Sequence, residues 1–500
     1  MKKSFLLISF GELNTNNNNY AECFLSSLWP VPFHRGKVQD RQWIKIRSTK
    51  YNRFSKSGDP CTGSVLIGMV FYRGWFGQSL PVPRQRTEDL LRKEEMAEEV
   101  HAVLVADFGS SSVKLGYSGE DTPSYVFPSA LPTGSGHSFG KGVESVEQSS
   151  QADIDAEYSS SGNSNAHSYT YPIQRGLVRD WDQLEKLWVK SMGAVGLKTI
   201  DDTSILLVES PRSTLSDKGK WAEMLFEKFR CPSICIGSSP AFCVYAAGRT
   251  SGLVVDCGAG VTTTVPVFEG LSLTHAAIVV EHAGQDVSQR LKKLFAEKNI
   301  HISMADAKLL KETYARCDLN FPNSKSEKDK ETFYLPDCTE VTVENKIFNE
   351  CTTQVFKRVF TCSADDMLSA PNPAATPPLG LASQVLESWS LCDEGVKKYL
   401  LQNVVVAGGG SFLEGLSDCL HRELAPQTAA YLEAKGQAAY EPRLLPSSVC
   451  KEPGYTNQRR FAQWVGASIL SSLDNYRDLK VTRQEYEEGG FNILQARSLS

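Results

Sequence analysis

Residues 103–120 read VLVADFGSSSVKLGYSGE. In this stretch an apolar run ends at Asp107, passes through Gly109 and three serines, and returns through a second apolar run. A β-hairpin with a Gly-rich turn is the simplest interpretation of one such stretch. A closely similar stretch, GLVVDCGAGVTTTVPVFEG, occupies residues 252–270. The repetition indicates two related hairpins that serve one purpose.

The totals are those of a globular protein with more than one domain. The 500 residues exceed what one hydrophobic core usually holds, and 41% are hydrophobic and 22% charged. Thirteen cysteines at irregular spacings favour a reducing compartment over a disulfide framework or a zinc site. Because no stretch of about twenty apolar residues occurs, we expect no membrane-spanning segment.

Residues 1–95 differ in composition from the rest of the chain. They hold 15 basic and 8 acidic residues, a net charge of +7, whereas the other 405 hold 38 and 50, a net charge of −12. They show no sustained helix or strand period, which predicts a disordered or non-native leader, with translation from Met96 as an alternative. The opening MKKSFLLISF lacks a cleavage pattern, so we interpret it as a non-functional signal-like stretch. The acidic main body predicts no direct binding to nucleic acid.

From residue 102 onward, predicted strands and helices alternate, which indicates an α/β architecture. The Ser/Gly-rich residues 133–168 predict a flexible insertion, and the proline-rich residues 369–380 predict a loop. The local patterns predict strands at 203–209 and 233–236, a helix capped by Asp180, a helix at 220–229, a helix capped by Asp286, helices at 303–317 and 461–473, and irregular structure at 425–458.

Both hairpins carry groups that a nucleoside triphosphate and its metal require. Small residues let backbone N–H groups approach phosphates, a lysine supplies a positive charge, and carboxylates hold Mg²⁺, often through water. Two facing turns would hold the phosphates from both sides, with the carboxylates meeting at the metal. The candidate residues are Asp107, Gly109, Ser110, Ser111, Ser112 and Lys114 in the first hairpin, and Asp256, Gly258, Gly260 and Val261 in the second.

A third glycine turn at 408–410 lies between a predicted strand and a predicted helix. A helix N-terminus at this position would add N–H donors near an anion or a nucleoside. A glycine triplet alone is more often a structural turn. This element therefore supports a nucleotide site only in combination with the two hairpins.

The chain resembles actin and the actin-related proteins, whose superfamily also includes heat-shock chaperones and sugar kinases. The hairpins fit any member of that superfamily, whereas three further stretches are similar to actin itself. These are YPIQRGLVRDWDQLEKLW (171–188), FEKFRCPSICIGSSPAFCVYAAGRTSG (226–252), and WVGASILSSL with EYEEGGFNIL near the end. The resemblance covers roughly residues 102–497 and implies an α/β, duplicated ribonuclease-H-like (actin-like ATPase) fold, with two lobes around a nucleotide cleft.

The resemblance also implies a domain organisation. A first actin-like lobe would span 96–255 and include the insertion 133–168, and a second would span 256–500 and include the loop 369–380. The C-terminal helix would return to the first lobe.

The resemblance further implies which residues bind ATP and Mg²⁺. Asp107 and Asp256 would lie nearest the metal, and the other hairpin residues named above would line the phosphates. Adenine and ribose would be contacted by Lys308, Lys311 and Glu312, by the loop residues Gly409, Gly410 and Phe412, and by Arg460, which stands where the family has a lysine.

Several positions depart from the family pattern. Ser239, followed by Pro240, replaces the glutamine that orients the attacking water, and Thr263 replaces an assisting histidine. Ala259 replaces a second aspartate beside the metal, and Ser111 replaces a phosphate-loop glycine. Because serine cannot reach a nucleophilic water as glutamine does, we expect weak or absent hydrolysis on an ATPase fold.

The polymerisation surface departs as well. The loop that inserts into a neighbouring actin subunit maps onto 133–168, and the hydrophobic plug maps near 363–380, which is rich in proline. Since a filament needs a repeated, non-closing interface, we expect a chain that does not polymerise.

The resemblance is strongest to nuclear actin-related proteins of chromatin-remodelling complexes, through VRDWD, LKETYARC and YLPD. It implies a structural subunit in the nucleus, with the cytoplasm left open. The implied partners are actin or another actin-related protein and a helix of a remodelling ATPase.

Three alternatives remain open. One is a cytoskeletal or dynactin-type actin-related protein that joins or caps filaments. Another is a phosphotransferase, although no general-base carboxylate beyond the two aspartates is evident. The last is an interaction scaffold with an empty cleft.

Overall fold

The computed structural model describes residues 102–132, 169–318, 330–335, 338, 340–356, 380–447, 450 and 452–497. They all belong to a compact unit that spans Ala97–Ser500. The predicted leader 1–95, the insertion 133–168 and the proline-rich loop up to residue 379 lie outside the described residues. Within the described ranges, every helix is too short or too polar to cross a bilayer.

The β-strands alternate between long central strands and short edge pairs. In chain order they are β1 (Ala102–Phe108), β2 (Ser112–Tyr117), β3 (Tyr125–Pro128), β4 (Leu131–Pro132), β5 (Tyr169–Thr170), β6 (Ile173–Gln174), β7 (Leu177–Val178), β8 (Thr203–Glu209), β9 (Ser233–Ser238), β10 (Gly252–Cys257), β11 (Thr262–Phe268), β12 (Leu271–Ser272), β13 (Ile278–Val280), β14 (Lys330–Tyr334), β15 (Glu340–Glu344), β16 (Val404–Ala407), β17 (Leu444–Leu445) and β18 (Val481–Thr482).

Five strands of each of the two six-stranded sheets have the same connectivity. The first has the order β18-β9-β8-β1-β2-β3, in which β1, β2 and β3 are antiparallel neighbours and β8 and β9 continue parallel to β1. The second has the order β12-β11-β10-β16-β17, with an antiparallel β10–β11–β12 ribbon and with β16 and β17 parallel to β10. Its sixth strand, β13, pairs antiparallel with β11. This repetition confirms the predicted duplicated α/β fold.

The helices cover and connect these sheets. They are α1 (Trp181–Val195), α2 (Leu215–Ala222), α3 (Ser239–Ala246), α4 (Gly284–Ala296), α5 (Met304–Tyr314), α6 (Lys346–Phe356), α7 (Leu381–Ser390), α8 (Glu394–Leu401), α9 (Leu416–Ala434), α10 (Pro453–Gln458), α11 (Ala462–Ser471), α12 (Arg483–Gly489) and α13 (Phe491–Arg497). A π-helical turn, Glu223–Lys228, extends α2.

Each sheet has its own buried core, and α3 and α11 lie between the two. Val244 of α3 packs in one cluster with Val254 of the second sheet. Phe242 of α3 and Trp464 of α11 pack with Val105 of the first sheet. These two helices therefore join the hydrophobic cores of the two lobes.

The chain crosses between the lobes near the predicted boundary. All of β10 belongs to the second sheet, so that sheet begins at Gly252, ahead of the predicted boundary at 255. At the other end, β18 pairs with β9 of the first sheet, which brings the C-terminal segment back to the first lobe.

Two helix starts differ from the predictions. Asp180 caps α1 as predicted, and its side chain accepts from the Gln183 N–H. Asp286 is not a cap, because it is the third residue of α4 and accepts from the Ala283 N–H at 2.8 Å. The helix predicted at 220–229 begins earlier, because Thr214 and Asp217 form a capping box.

The prediction of irregular structure at 425–458 was wrong in part. Helix α9 continues to Ala434 with Pro426 inside it, and α10 follows at Pro453–Gln458. Leu424, Thr428 and Leu432 of α9 are buried. Burial of this face outweighs the helix-breaking tendency of the proline.

Candidate functional site

The two hairpin turns share one backbone arrangement. The Gly109 N–H donates to Ser112 O at 3.1 Å, and the Gly258 N–H donates to Val261 O at 3.0 Å. A Cβ at Gly109 would lie 3.2 Å from Ser112 O, and a Cβ at Gly258 would lie 2.8 Å from Val261 O. The turn itself therefore requires a glycine at Gly258, and at Gly109 it leaves a side chain only a tight fit.

The two turns lie against each other. A Cβ at Gly260 would lie 2.7 Å from Ser110 Oγ, so only glycine fits at this contact. Ser110 Oγ in turn accepts a hydrogen bond from the Gly176 N–H at 3.0 Å. The structure thus brings the predicted pair of turns together, as two facing loops of small residues.

A buried serine that sequence reasoning missed braces the first turn. The Ser129 N–H donates to Ser111 O at 3.0 Å, and Ser129 Oγ donates to Gly109 O at 2.6 Å. Ser129 follows directly after β3, which pairs with β2 of the hairpin. A serine after a short strand is too common to have marked this role.

The two carboxylates have different partners. Lys114 Nζ lies 2.8 Å from Asp107 Oδ2, and both side chains are largely buried. Asp256 Oδ2 accepts from Gln463 Nε2 at 2.6 Å. Asp256 Oδ1 is buried and has no hydrogen-bond partner among the described residues. A Cβ at Gly408 would lie only 2.2 Å from this oxygen.

The buried carboxyl group of Asp256 interacts electrostatically with Asp107 and Lys114. Burial, together with the negative charge of Asp107, raises the pKa of Asp256 to about 6, and Lys114 and the Gln463 hydrogen bond oppose the rise. Interaction with both members of the Asp107–Lys114 pair puts Asp256 in the same charged centre.

The donor set fits a hydrated Mg²⁺ ion. Within the described ranges, no group of three or more His, Cys, Asp or Glu side chains is placed to hold a metal. Mg²⁺, however, is commonly held by one or two carboxylates, with water and phosphate oxygens at its other positions. The unpartnered Oδ1 of Asp256, together with Asp107, meets that requirement when a nucleotide supplies phosphates.

Helix α4 connects the second turn to the predicted nucleoside residues. The Gly284 N–H donates to Gly258 O at 3.0 Å, which fixes the start of α4 on the turn. Lys311 Nζ donates to Gly284 O at 3.1 Å, and burial lowers the pKa of Lys311. On the same helix, α5, Lys308 is half-buried and Glu312 is exposed.

The third glycine turn differs from its prediction. Gly409, Gly410 and Phe412 form a single 3₁₀ turn, and α9 begins only at Leu416. A helix N-terminus at the glycine triplet was therefore wrong. The turn is specific to glycine at Gly408, which has a φ of 84° and a ψ of 168°.

Arg459, the neighbour of the predicted base-contacting residue Arg460, contacts this third turn. The Arg459 guanidinium lies 3.9 Å from the centre of the Phe412 ring, and its Nη2 donates to Ser411 O at 3.1 Å. Arg460 is exposed and lies over the Phe461 ring at 5.0 Å. Adjacent arginines in a 3₁₀ turn point to different sides, and the sequence alone does not distinguish them.

An arginine of the β6–β7 turn crosses to the second lobe. Arg175 Nη1 and Nη2 lie 2.6 and 2.7 Å from the two oxygens of Asp286, and Nη1 also donates to Gly260 O at 3.0 Å. Arg212 Nη1 reinforces this contact through Arg175 O at 2.9 Å and Glu281 Oε1 at 2.6 Å. Sequence reasoning missed both arginines, because their partners lie in distant segments.

The positions expected to activate water carry small hydroxyl groups. Ser239 is the first residue of α3 and is buried. Thr263 pairs with Asp256 in the β10–β11 register, and its Oγ1 has no hydrogen-bond partner in the part of the chain that the structure describes. Ala259 lies in the second turn and offers no side-chain ligand. None of these three side chains has a carboxylate, an imidazole or an amide with which to activate a water molecule.

Comparison with known families agrees with this geometry. The family model described as Actin matches residues 97–308 and 304–498. Together these matches include both hairpins, the third glycine turn and the helices that join the lobes. The chain therefore belongs to the actin family.

Proposed function

We propose that the chain is an ATP-binding actin-related protein that acts as a non-polymerising structural subunit of a chromatin-remodelling complex, with weak or no hydrolysis. The observation that carries nucleotide binding is the pair of opposed turns, in which Gly260 touches Ser110, beside a buried centre of Asp107, Lys114 and Asp256. Small residues on both sides and a buried lysine are suited to hold phosphates.

Each residue has a separate task in this proposal. The backbone N–H groups of the two turns bind phosphate oxygens, and Lys114, which Asp107 holds in place, contributes a positive charge. Asp107 and Asp256 would hold the Mg²⁺ ion, which neutralises phosphate charge when bound. Ser239 and Thr263 leave an attacking water without an orienting amide or a base, so the nucleotide persists.

The partners and the location rest on the resemblance to nuclear members of the family. We place the chain in the nucleus, beside actin or another actin-related protein, on a helix of a remodelling ATPase. The net charge of −12 outside the first 95 residues disfavours direct contact with nucleic acid. The proposed partners are tested by mixing the chain with actin and a purified helix of a remodelling ATPase and measuring whether the three elute together.

The decisive experiment asks whether purified protein carries nucleotide. We expect about one adenine nucleotide per chain on denaturation and chromatography, and little turnover of added ATP. Lys114→Ala should lose the nucleotide, whereas the exposed Lys228→Ala should retain it. An empty wild-type cleft would favour a scaffold, brisk hydrolysis would contradict the role assigned to Ser239, and sedimentable polymer in ATP would favour the cytoskeletal alternative.

A further inference from the structure

Gln463 lies in α11, a helix that is buried along most of its length. It is the second residue of α11, between Ala462 and Trp464, which are both buried. Trp464 Nε1 donates to Val105 O of the first sheet at 3.1 Å. The backbone that carries the Gln463 amide is therefore fixed on both sides of the residue.

The Gln463 amide donates a hydrogen bond to one oxygen of the Asp256 carboxylate. Its Nε2 lies 2.6 Å from Asp256 Oδ2, and Oδ1 remains buried without a partner among the described residues. Gly408 has no side chain, and a Cβ there would lie 2.2 Å from Oδ1. Oδ1 is thus the oxygen of Asp256 with both acceptor sites unused, whereas Oδ2 already accepts the Gln463 hydrogen bond.

We propose that Gln463 is a positioning residue that makes Asp256 a one-oxygen ligand and so selects Mg²⁺ over Ca²⁺ at the nucleotide. The inference rests on the proposed nucleotide binding. Mg²⁺ requires near-octahedral geometry and usually keeps its waters, whereas Ca²⁺ takes six to eight oxygens and often binds a carboxylate through both. The hydrogen bond from Gln463 to Oδ2 disfavours binding of Ca²⁺ through both oxygens of Asp256. Groups that orient a ligating side chain in this way typically change metal affinity by about 10- to 100-fold when removed.

The test compares ATP affinity in Mg²⁺, in Ca²⁺ and in EDTA, with a fluorescent ATP analogue and the full-length chain. Gln463→Leu keeps the side-chain size and removes the donor, and Gln463→Met is a second variant should the first fold poorly. Gln402→Leu, at the residue that follows α8 and outside the candidate site, is the matched control. Thermal unfolding without nucleotide verifies that each variant folds.

We expect wild type and Gln402→Leu to bind the analogue more tightly in Mg²⁺ than in Ca²⁺. In the Gln463 variants the ratio of the two affinities should fall by about 10-fold or more, while the affinity in EDTA stays within about twofold. An unchanged ratio, or an equal loss of affinity in all three buffers, would overturn the proposed role of Gln463 but leave nucleotide binding intact. Failure of the wild type to bind in any buffer would instead overturn nucleotide binding itself, and this inference with it.

Discussion

The two aspartates at equivalent strand ends are in unlike electrostatic states. Asp107 has a cationic partner in Lys114 at 2.8 Å, whereas the hydrogen-bond partner of Asp256 is the neutral amide of Gln463. A buried carboxylate without a cation of its own is costly when ionised. The ionised carboxylate of Asp256 is therefore unfavourable in the folded chain, and a bound cation would stabilise it.

This difference predicts a pH-dependent effect of Asp256→Asn. Because the pKa is raised from 3.8 to about 6 in the folded state, the folded chain binds more protons than the unfolded chain between those pH values. The free energy of unfolding should accordingly fall as the pH rises from 4 to 6. Asp256→Asn removes this cost and should be more stable than wild type at pH 7.5, by at most about 3 kcal/mol.

Urea unfolding in EDTA without nucleotide, at a series of pH values, measures the effect. The advantage of Asp256→Asn should vanish near pH 4. Asp107→Asn serves as the contrast, since it leaves Lys114 without its carboxylate and should be destabilising at neutral pH. Parallel pH profiles for wild type and Asp256→Asn would show that burial does not control this carboxyl group.

Gly408 and Gly248 form a matched pair of positive-φ glycines. A Cβ at Gly408 would meet Asp256 Oδ1 at 2.2 Å, whereas at Gly248 the described atoms leave 4 Å of open space. Gly248→Ala should lose only the backbone cost, about 1 to 2 kcal/mol. Gly408→Ala adds a clash with the carboxylate and should lose about 3 kcal/mol or more, together with ATP binding. Equal losses in urea unfolding would contradict the clash.

At the scale of elements, the β6–β7 turn links the start of α4 to the turn of the second hairpin. Arg175 has a φ of 52°, and it contacts both Asp286 of α4 and Gly260 of the second turn. A non-glycine residue with positive φ is strained, so other interactions must hold it there. The paired hydrogen bonds to Asp286 are suited to do so.

Arg175→Lys should weaken this contact, because an ammonium cannot reproduce the paired bonds of a guanidinium. We expect a loss of about 1 to 2 kcal/mol in urea unfolding, moderated by partial exposure. Hydrogen exchange should also accelerate at the Gly258 and Gly284 amides. Arg290→Lys is the control, since its bonds to Glu297 and Glu350 are single and longer. Unaltered exchange at both amides would argue against the proposed coupling.

At the scale of the whole molecule, α3 and α11 couple the two sheets. Their closest approach is at Gly466, where a Cβ would lie 1.8 Å from Phe242 O. Such an approach requires a glycine, since even a methyl group would force the two helices apart. Because α3 packs in clusters with both sheets, a shift of this pair disturbs both lobes.

Gly466→Ala should therefore destabilise both lobes at once, by about 3 kcal/mol or more. Gly454→Ala, where a Cβ would meet no described atom within 4 Å, should be neutral or stabilising by up to about 1 kcal/mol. Hydrogen exchange measures whether β1 and β10 lose protection together. If β1 of the Gly466→Ala chain loses its protection from hydrogen exchange while β10 keeps it fully, the coupling of the two lobes is refuted.

Much of the fold could be predicted because its signals are local. The repeat of an apolar strand, an aspartate and a turn of small residues encodes both hairpins within about twenty residues each. The buried strand Thr203–Glu209 and the cap Asp180 were likewise legible from neighbouring residues. The extent of α9 was not, because burial of Leu432 by residues far along the chain holds the helix together beyond Pro426.

The sequence by itself determined that two hairpins with turns of small residues exist and which aspartates end their first strands, since a hairpin folds from adjacent residues. Only the tertiary structure decided what those groups meet. Gln463 reaches Asp256 across 207 positions, and Arg175 reaches Asp286 across 111. Contacts over such separations depend on how helices and lobes pack, and no local pattern records that packing.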